Sequence, residues 1–197
     1  MLTLVSFLFL GSLVYDGTMN TTPFPAVCDE ALIGAPFGGV RIAIQNNQLL
    51  IELKALPVGI QVLPSHHDVA LEVESLHPLV SLATKQVIQY LQQATTVFSL
   101  PVQQVGTAFQ QKVWQAIVAI PRGQTRTYSD LANQIGSGPR AVANACGANR
   151  LPLVIPCHRV VAKNGLGGFM QGTHNGWLVK QWLLQHELND TKGYLHE

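Results

Sequence analysis

Between Thr107 and Pro139 the chain is so heavily punctuated by helix-starting and helix-stopping residues that little but short helices can form there. Thr107-Ala108-Phe109-Gln110 has the form of a capping box, in which a threonine hydroxyl and a glutamine amide serve the unpaired groups of a first turn. Phe109, Val113, Ile117 and Ile120 follow as one apolar stripe, and Pro121 ends the run. Thr127-Tyr128-Ser129-Asp130 is box-like again and predicts a second helix through Leu131 and Ile135 to Gly136. Ser137-Gly138 reads as a tight turn, and Pro139 suits the first position of a third helix, where an N–H would be unpaired anyway. Two short helices joined by a glycine-containing turn make a helix-turn-helix arrangement; a plain helix hairpin with an alanine-rich packing face is the alternative. The third helix carries Arg140 at its start, then Ala141, Ala143, Ala145, Gly147 and Ala148, small side chains that let a backbone come close to a partner surface.

Hydrophobic residues are 47% of the 197 and charged residues 12%, which excludes a disordered chain and requires a sizeable core, in one domain or two small ones. The net charge of +1 conceals a split. Residues 1–100 hold three basic residues (Arg41, Lys54, Lys85) against seven acidic ones, whereas residues 101–197 hold nine against four. Within 101–186 Asp130 is the only acid, so the C-terminal part suits a polyanionic partner. Three cysteines, odd and sparse, argue against a disulfide scaffold and for a reducing compartment.

Met1 to Tyr15 is almost wholly apolar, yet shorter than the roughly 20 residues that a bilayer span takes. No basic residue precedes Arg41 to make a signal peptide. A more ordinary start stands at Met19, so residues 1–18 read as an apolar leader or mis-assigned start, with a first β-strand and a weak membrane signal as the other readings. From Ala31 to Leu56 the pattern is β-like: Val40, Ile42 and Ile44, the turn residues Gln45-Asn46-Asn47, then Leu50, Ile51 and Leu53. Leu79, Leu82, Val87, Ile88 and Leu91 predict a helix over Leu76–Phe98. The expected division is an α/β domain at 19–98, a linker at 99–105 around Pro101, a mainly helical domain at 106–190 and a tail at 191–197.

After the third helix, Leu151 to Ile155 read as an apolar strand that delivers Pro156-Cys157-His158-Arg159. A thiol is a strong nucleophile only as its thiolate, and nearby positive charge lowers its pKa. His158 and Arg159 supply such groups, and Pro156 fixes the turn. A buried, inert cysteine beside a surface histidine is the competing reading. Zinc is a weaker rival, because Cys28, Cys146 and Cys157 show no Cys-x-x-Cys spacing; His66-His67 and His77 with Cys28 are the residues that could form a site.

From Gly106 to Glu187 the chain resembles the O6-alkylguanine-DNA alkyltransferases, the methylated-DNA–protein-cysteine methyltransferases. The shared motifs are Gly106-Thr107-x-Phe109-Gln110, Val113-Trp114, Ile120-Pro121-x-Gly123-x-Thr125, Tyr128-x-x-Leu131-Ala132 and the Pro156-to-Val160 signature. The resemblance implies a ribonuclease H-like α/β N-terminal module followed by a mainly α-helical domain containing a helix-turn-helix. It implies a DNA repair protein that flips O6-alkylguanine, and O4-alkylthymine, out of duplex DNA and moves the alkyl group irreversibly to its own cysteine. By the same resemblance Cys157 is the acceptor, His158 the general base acting through a water, Glu187 its orienter, and Asn149 the residue that holds the active-site turn. Tyr128 crowds the target phosphate and protonates the departing guanine, Arg140 replaces the flipped base in the stack, and Ala141 and Arg159 complete the DNA contacts. Pro152, Val160, Phe169 and Met170 form the substrate pocket.

No cofactor or metal is needed, since the alkyl group goes straight to sulfur. The implied partner is double-stranded DNA bound through its minor groove without regard to sequence, by a cytoplasmic monomer with no membrane attachment. The sequence departs from the family in a shorter turn between the two helices, in Phe169 where tyrosine is common, in Met170-Gln171 where a small Ser-Gly pair is usual, and in an insertion at Thr173-His174-Asn175-Gly176. The alternative is a non-catalytic protein that recognises alkylguanine and recruits repair factors, but its relatives carry tryptophan in place of the cysteine. A helix-turn-helix transcription factor would need longer polar side chains than Ala141 to Ala148 provide.

Overall fold

The computed structural model describes residues 29–57, 69–172 and 175–193. The apolar run at the N-terminus, Met19, Cys28, His66, His67, Thr173 and His174 lie outside the described residues.

Four antiparallel strands form the N-terminal sheet: β1 (Glu30–Ala35), β2 (Gly38–Gln45), β3 (Gln48–Ala55) and β4 (Ala70–Val73), in the order β3-β2-β1-β4. Gln45 pairs with Gln48 across a two-residue turn in which Asn46 and Asn47 take φ of 51° and 59°. Such a turn demands left-handed backbone at both positions, which asparagine tolerates better than most residues. The predicted hairpin is therefore present. Helix α1 (Pro78–Gln92) lays Val80, Ala83, Val87 and Leu91 against β1 and β2. It is shorter than the predicted Leu76–Phe98. Pro78 opens it, and at its other end Gln86 captures the chain by accepting the Ser99 N–H at 2.9 Å. The segment thereby turns back along the helix and sets Phe98 against Tyr90, ring centroids 5.5 Å apart.

Helices α2 (Ala108–Val118), α3 (Tyr128–Ile135) and α4 (Pro139–Gly147) begin where the capping signals place them. Both capping boxes are closed, Thr107 with Gln110 and Thr127 with Asp130, and Gly136 ends α3 in the left-handed conformation (φ 68°). At Gly106 a Cβ would lie 2.5 Å from the Trp114 ring, so only glycine lets the chain enter α2 beneath that indole. Trp114 donates to the Ala145 carbonyl at 2.9 Å and ties α2 to α4.

Leu151–Ile155, expected as an apolar strand, forms successive turns instead. Pro152 and Pro156 remove two ladder donors, Leu153 takes a φ of 74°, and the Ile155 N–H closes back onto the Leu151 carbonyl at 2.8 Å. The strands present nearby are short: β5 (Arg126–Thr127) pairs in parallel with β6 (Val160–Val161) and brings the Cys157 segment beside the start of α3. Helix α5 (Gly176–Gly193) packs across this segment and against β3. No described helix is long and apolar enough to cross a membrane.

Candidate active site

Cys157 opens a single helical turn, Cys157–Arg159, at the end of the turn series. Asn149, just past α4, spans the loop: its Nδ2 donates to the Ile155 carbonyl at 2.8 Å and to Cys157 Sγ at 3.3 Å, while its Oδ1 accepts the Leu151 N–H at 2.9 Å. Burial pushes the Cys157 thiol pKa up; the Asn149 hydrogen bond and the Lys180 charge oppose that rise by favouring the thiolate. Cys146, on α4, shares the same cavity, and burial takes its thiol to about 12. Both cysteines are free.

His158 is buried, and its Nε2 lies 2.8 Å from Glu187 Oε1 on α5. A carboxylate only accepts, so Nε2 carries the proton there and a neutral ring keeps its lone pair on Nδ1, which has no hydrogen-bond partner. Burial holds the His158 pKa below the ordinary histidine value, against the pull of Glu187. Burial alone would raise Glu187, but the hydrogen bonds from His158 and Arg159, together with the Arg159 charge, win and hold it well below the carboxylate range. Tyr90 on α1 donates to the same carboxylate at 2.8 Å and the Gly123 N–H at 3.2 Å.

Arg159, expected at DNA, points inward. Its Nε and Nη2 bind Glu187 at 3.0 and 2.9 Å, Nη1 binds the Ile120 carbonyl at 2.7 Å, and the side chain is 13% exposed. It supplies the counter-charge for Glu187, so His158 can remain neutral. The cation that favours the Cys157 thiolate is Lys180, not Arg159. Lys180 is fully buried, donates to the Val160 and Gly168 carbonyls at 2.6 and 3.2 Å, and is lowered to about 8 by burial.

Cys157, Asn149, Tyr128, Pro152, Phe169 and Met170 line one cavity of about 560 Å³, whose far wall is the edge of β3 from Ile51 to Lys54. Val160, expected in the pocket, does not line it; its side chain is buried in the core beneath. The Tyr128 hydroxyl donates to the Gly168 carbonyl at 3.3 Å, and burial raises its pKa to about 12, with Cys146 and Cys157 adding to the rise. Arg140 is exposed in the first turn of α4, and Ala141 beside it is half-buried. Among the described residues no group of three His, Cys, Asp or Glu side chains could hold a metal ion.

A family model described as the DNA-binding domain of 6-O-methylguanine DNA methyltransferase matches residues 108–189. A "Probable methylated-DNA–protein-cysteine methyltransferase" of Acanthamoeba polyphaga mimivirus is 53% identical over 89 residues, covering 44% of this chain and 57% of that protein. An inducible methylated-DNA–protein-cysteine methyltransferase of Bacillus subtilis is 43% identical over 104 residues, covering 52% and 56%. The chain thus spans little more than half the length of these curated relatives. The crystal structure of Mycobacterium tuberculosis OGT in complex with DNA is 30% identical with a TM-score of 0.60, over 81% of this chain and 92% of that one. The chain belongs to the O6-methylguanine-DNA methyltransferase family.

Two of the departures from the methyltransferase pattern, Phe169 and Met170-Gln171, fall on the cavity wall. Met170, Gln171 and Gly172 take φ of 50°, 54° and 76°, three consecutive left-handed residues. Two of them are bulky side chains, at roughly 1–2 kcal/mol per non-glycine residue, where a small Ser-Gly pair would carry less strain. Gln171 recovers part of this by donating to the Gly147 carbonyl at 3.1 Å. Lys180 and Tyr90 were missed as site residues. For Lys180 a signal exists: Gly176, Val179, Lys180, Leu183, His186 and Glu187 form one helical stripe that is entirely buried, so its charged members need partners. Nothing local marks Tyr90, which reads as one more apolar residue of α1.

Proposed function

We propose that this protein repairs DNA by taking the alkyl group of O6-alkylguanine, and of O4-alkylthymine, onto Cys157 in one irreversible turnover. The observation that carries the reading is a thiol on the wall of a cavity of about 560 Å³, held by Asn149 and followed in sequence by a buried neutral histidine. That volume suits a small ligand such as an extruded base. His158 Nδ1 takes the thiol proton, directly or through a water, and Glu187 stabilises the imidazolium through Nε2. The sulfur then forms a bond to the alkyl carbon as the carbon–O6 bond breaks. The electron pair passes to the guanine, which leaves neutral after receiving a proton, with the Tyr128 hydroxyl as its donor at the cavity wall.

Exposed Arg140 at the start of α4, above the small residues Ala143 and Gly147 that line the cavity, supports a role as the side chain that fills the vacated stack. We read α3 and α4 as a helix-turn-helix that meets the minor groove by phosphate contacts, largely without regard to sequence, in a protein acting as a monomer. The antiparallel β1–β4 sheet followed by α1 supports a ribonuclease H-like reading of the first half, and two free cysteines fit a reducing, cytoplasmic setting.

Cys157→Ala tests the assignment. It should abolish transfer and retain binding to a duplex carrying O6-methylguanine, measured by fluorescence anisotropy. Transfer that persists, onto Cys146, would refute it.

A further inference from the structure

We infer that Gln104 is a positioning residue for Cys157, an inference resting on the alkyl-acceptor reading above. Gln104 lies in the segment between α1 and α2 and is 8% exposed. Its Oε1 accepts two backbone N–H groups, those of Arg150 at 3.0 Å and Leu151 at 3.1 Å. Its own carbonyl accepts the side-chain amide of Gln111, which fixes it to α2.

The two residues it grips come directly after Asn149, the residue that touches the thiol. The Leu151 N–H is shared between Gln104 and Asn149 Oδ1. From the other side, the Arg150 carbonyl accepts the Ile51 N–H of the β3 edge at 3.0 Å, and Arg150 Nη2 donates to Gln45 Oε1 at 2.7 Å. Residue 150 is thus clamped between the N-terminal sheet and Gln104. That clamp sets where the Asn149 amide stands against Cys157 Sγ, 3.3 Å away.

Burying an amide costs free energy unless its polar atoms are used. Gln104 Nε2 has no hydrogen-bond partner, so only the acceptor half of the side chain is engaged. Filling space alone would favour an apolar residue of the same volume. The acceptor is what the position requires.

The test compares wild type, Q104L and Q104E in single-turnover transfer from an O6-methylguanine duplex and in alkylation of Cys157 by iodoacetamide across pH. Leucine keeps the volume and removes the acceptor, whereas glutamate keeps an oxygen for both N–H groups. Q104L should slow transfer about tenfold or more, as displaced reacting groups do. It should bind undamaged duplex as wild type does, and its Cys157 reactivity should move to higher pH, because Asn149 no longer steadies the thiolate. Q104E should recover both properties. Equal transfer rates and superimposable pH profiles for Q104L and wild type would overturn the inference. Where Q104L does not fold, hydrogen exchange in wild type decides: a slow Arg150 amide supports the clamp, and its exchange at open-loop rates overturns it. A wild type that transfers no alkyl group refutes the proposed function instead, and the iodoacetamide profiles then judge Gln104 alone.

Discussion

Tyr90 donates its hydroxyl to Glu187 at 2.8 Å, joining residues 97 positions apart in the buried core. The Tyr90 carbonyl in turn accepts the ring N–H of His186 at 2.7 Å, so α1 holds α5 by two bonds, one to the carboxylate and one to the residue before it. Burial first, and the Glu187 charge second, push the tyrosine pKa well above its usual value, which keeps the hydroxyl a neutral donor. The N-terminal half therefore takes part in setting the candidate site.

Tyr90→Phe should fold, since Arg159 and His158 still balance the carboxylate. Loss of one hydrogen bond to a charged acceptor should cost about 1.5–3 kcal/mol. Calorimetry should show a melting temperature lower by several degrees. An unchanged melting temperature would contradict the role given to the hydroxyl.

Lys180 gives a pH-dependent prediction with a definite sign. Burial lowers its folded pKa to about 8, whereas an unfolded lysine titrates near ~10.4. Between those values the unfolded chain holds a proton that the folded one has released, so stability contributed by this group rises with pH across that window. Below about 8 the buried charge is a cost to folding. Lys180→Met should remove the alkaline rise in urea-unfolding midpoints. It should also shift Cys157 alkylation by iodoacetamide to higher pH, because a charge favouring the thiolate is gone. Parallel stability curves for the two proteins over the window would contradict the assignment.

Much of the helical half was legible because its signals are local. Each capping box lies within four residues, Gly136 and Pro139 mark a stop and a start, and Asn46-Asn47 suits one kind of turn. What escaped depends on contacts between distant segments. Leu151–Ile155 carries strand-like side chains, but Asn149 and two prolines bind its backbone into turns. Arg159 reads as a surface charge until Glu187, 28 residues on, is seen beside it. The family resemblance implies Val160 in the pocket, yet it faces the core, while the β3 edge that does line the cavity comes from a hairpin more than a hundred residues earlier.

Arg140→Ala separates base extrusion from chemistry. Arg140 is exposed and does not line the Cys157 cavity, so its loss should slow repair of a modified duplex far more than reaction with free O6-benzylguanine. Rate constants for both substrates, measured side by side, check this. Equal losses on the two would remove Arg140 from the flipping step.

Intact mass after incubation with an oligonucleotide duplex containing O6-methylguanine, followed by peptide mapping, tests the acceptor chemistry most directly. The expected result is a gain of one methyl group per protein, found on the Cys157 peptide, with unmodified guanine left in the DNA. An unchanged mass despite tight binding to the modified duplex, or a methyl group on Cys146, would contradict it.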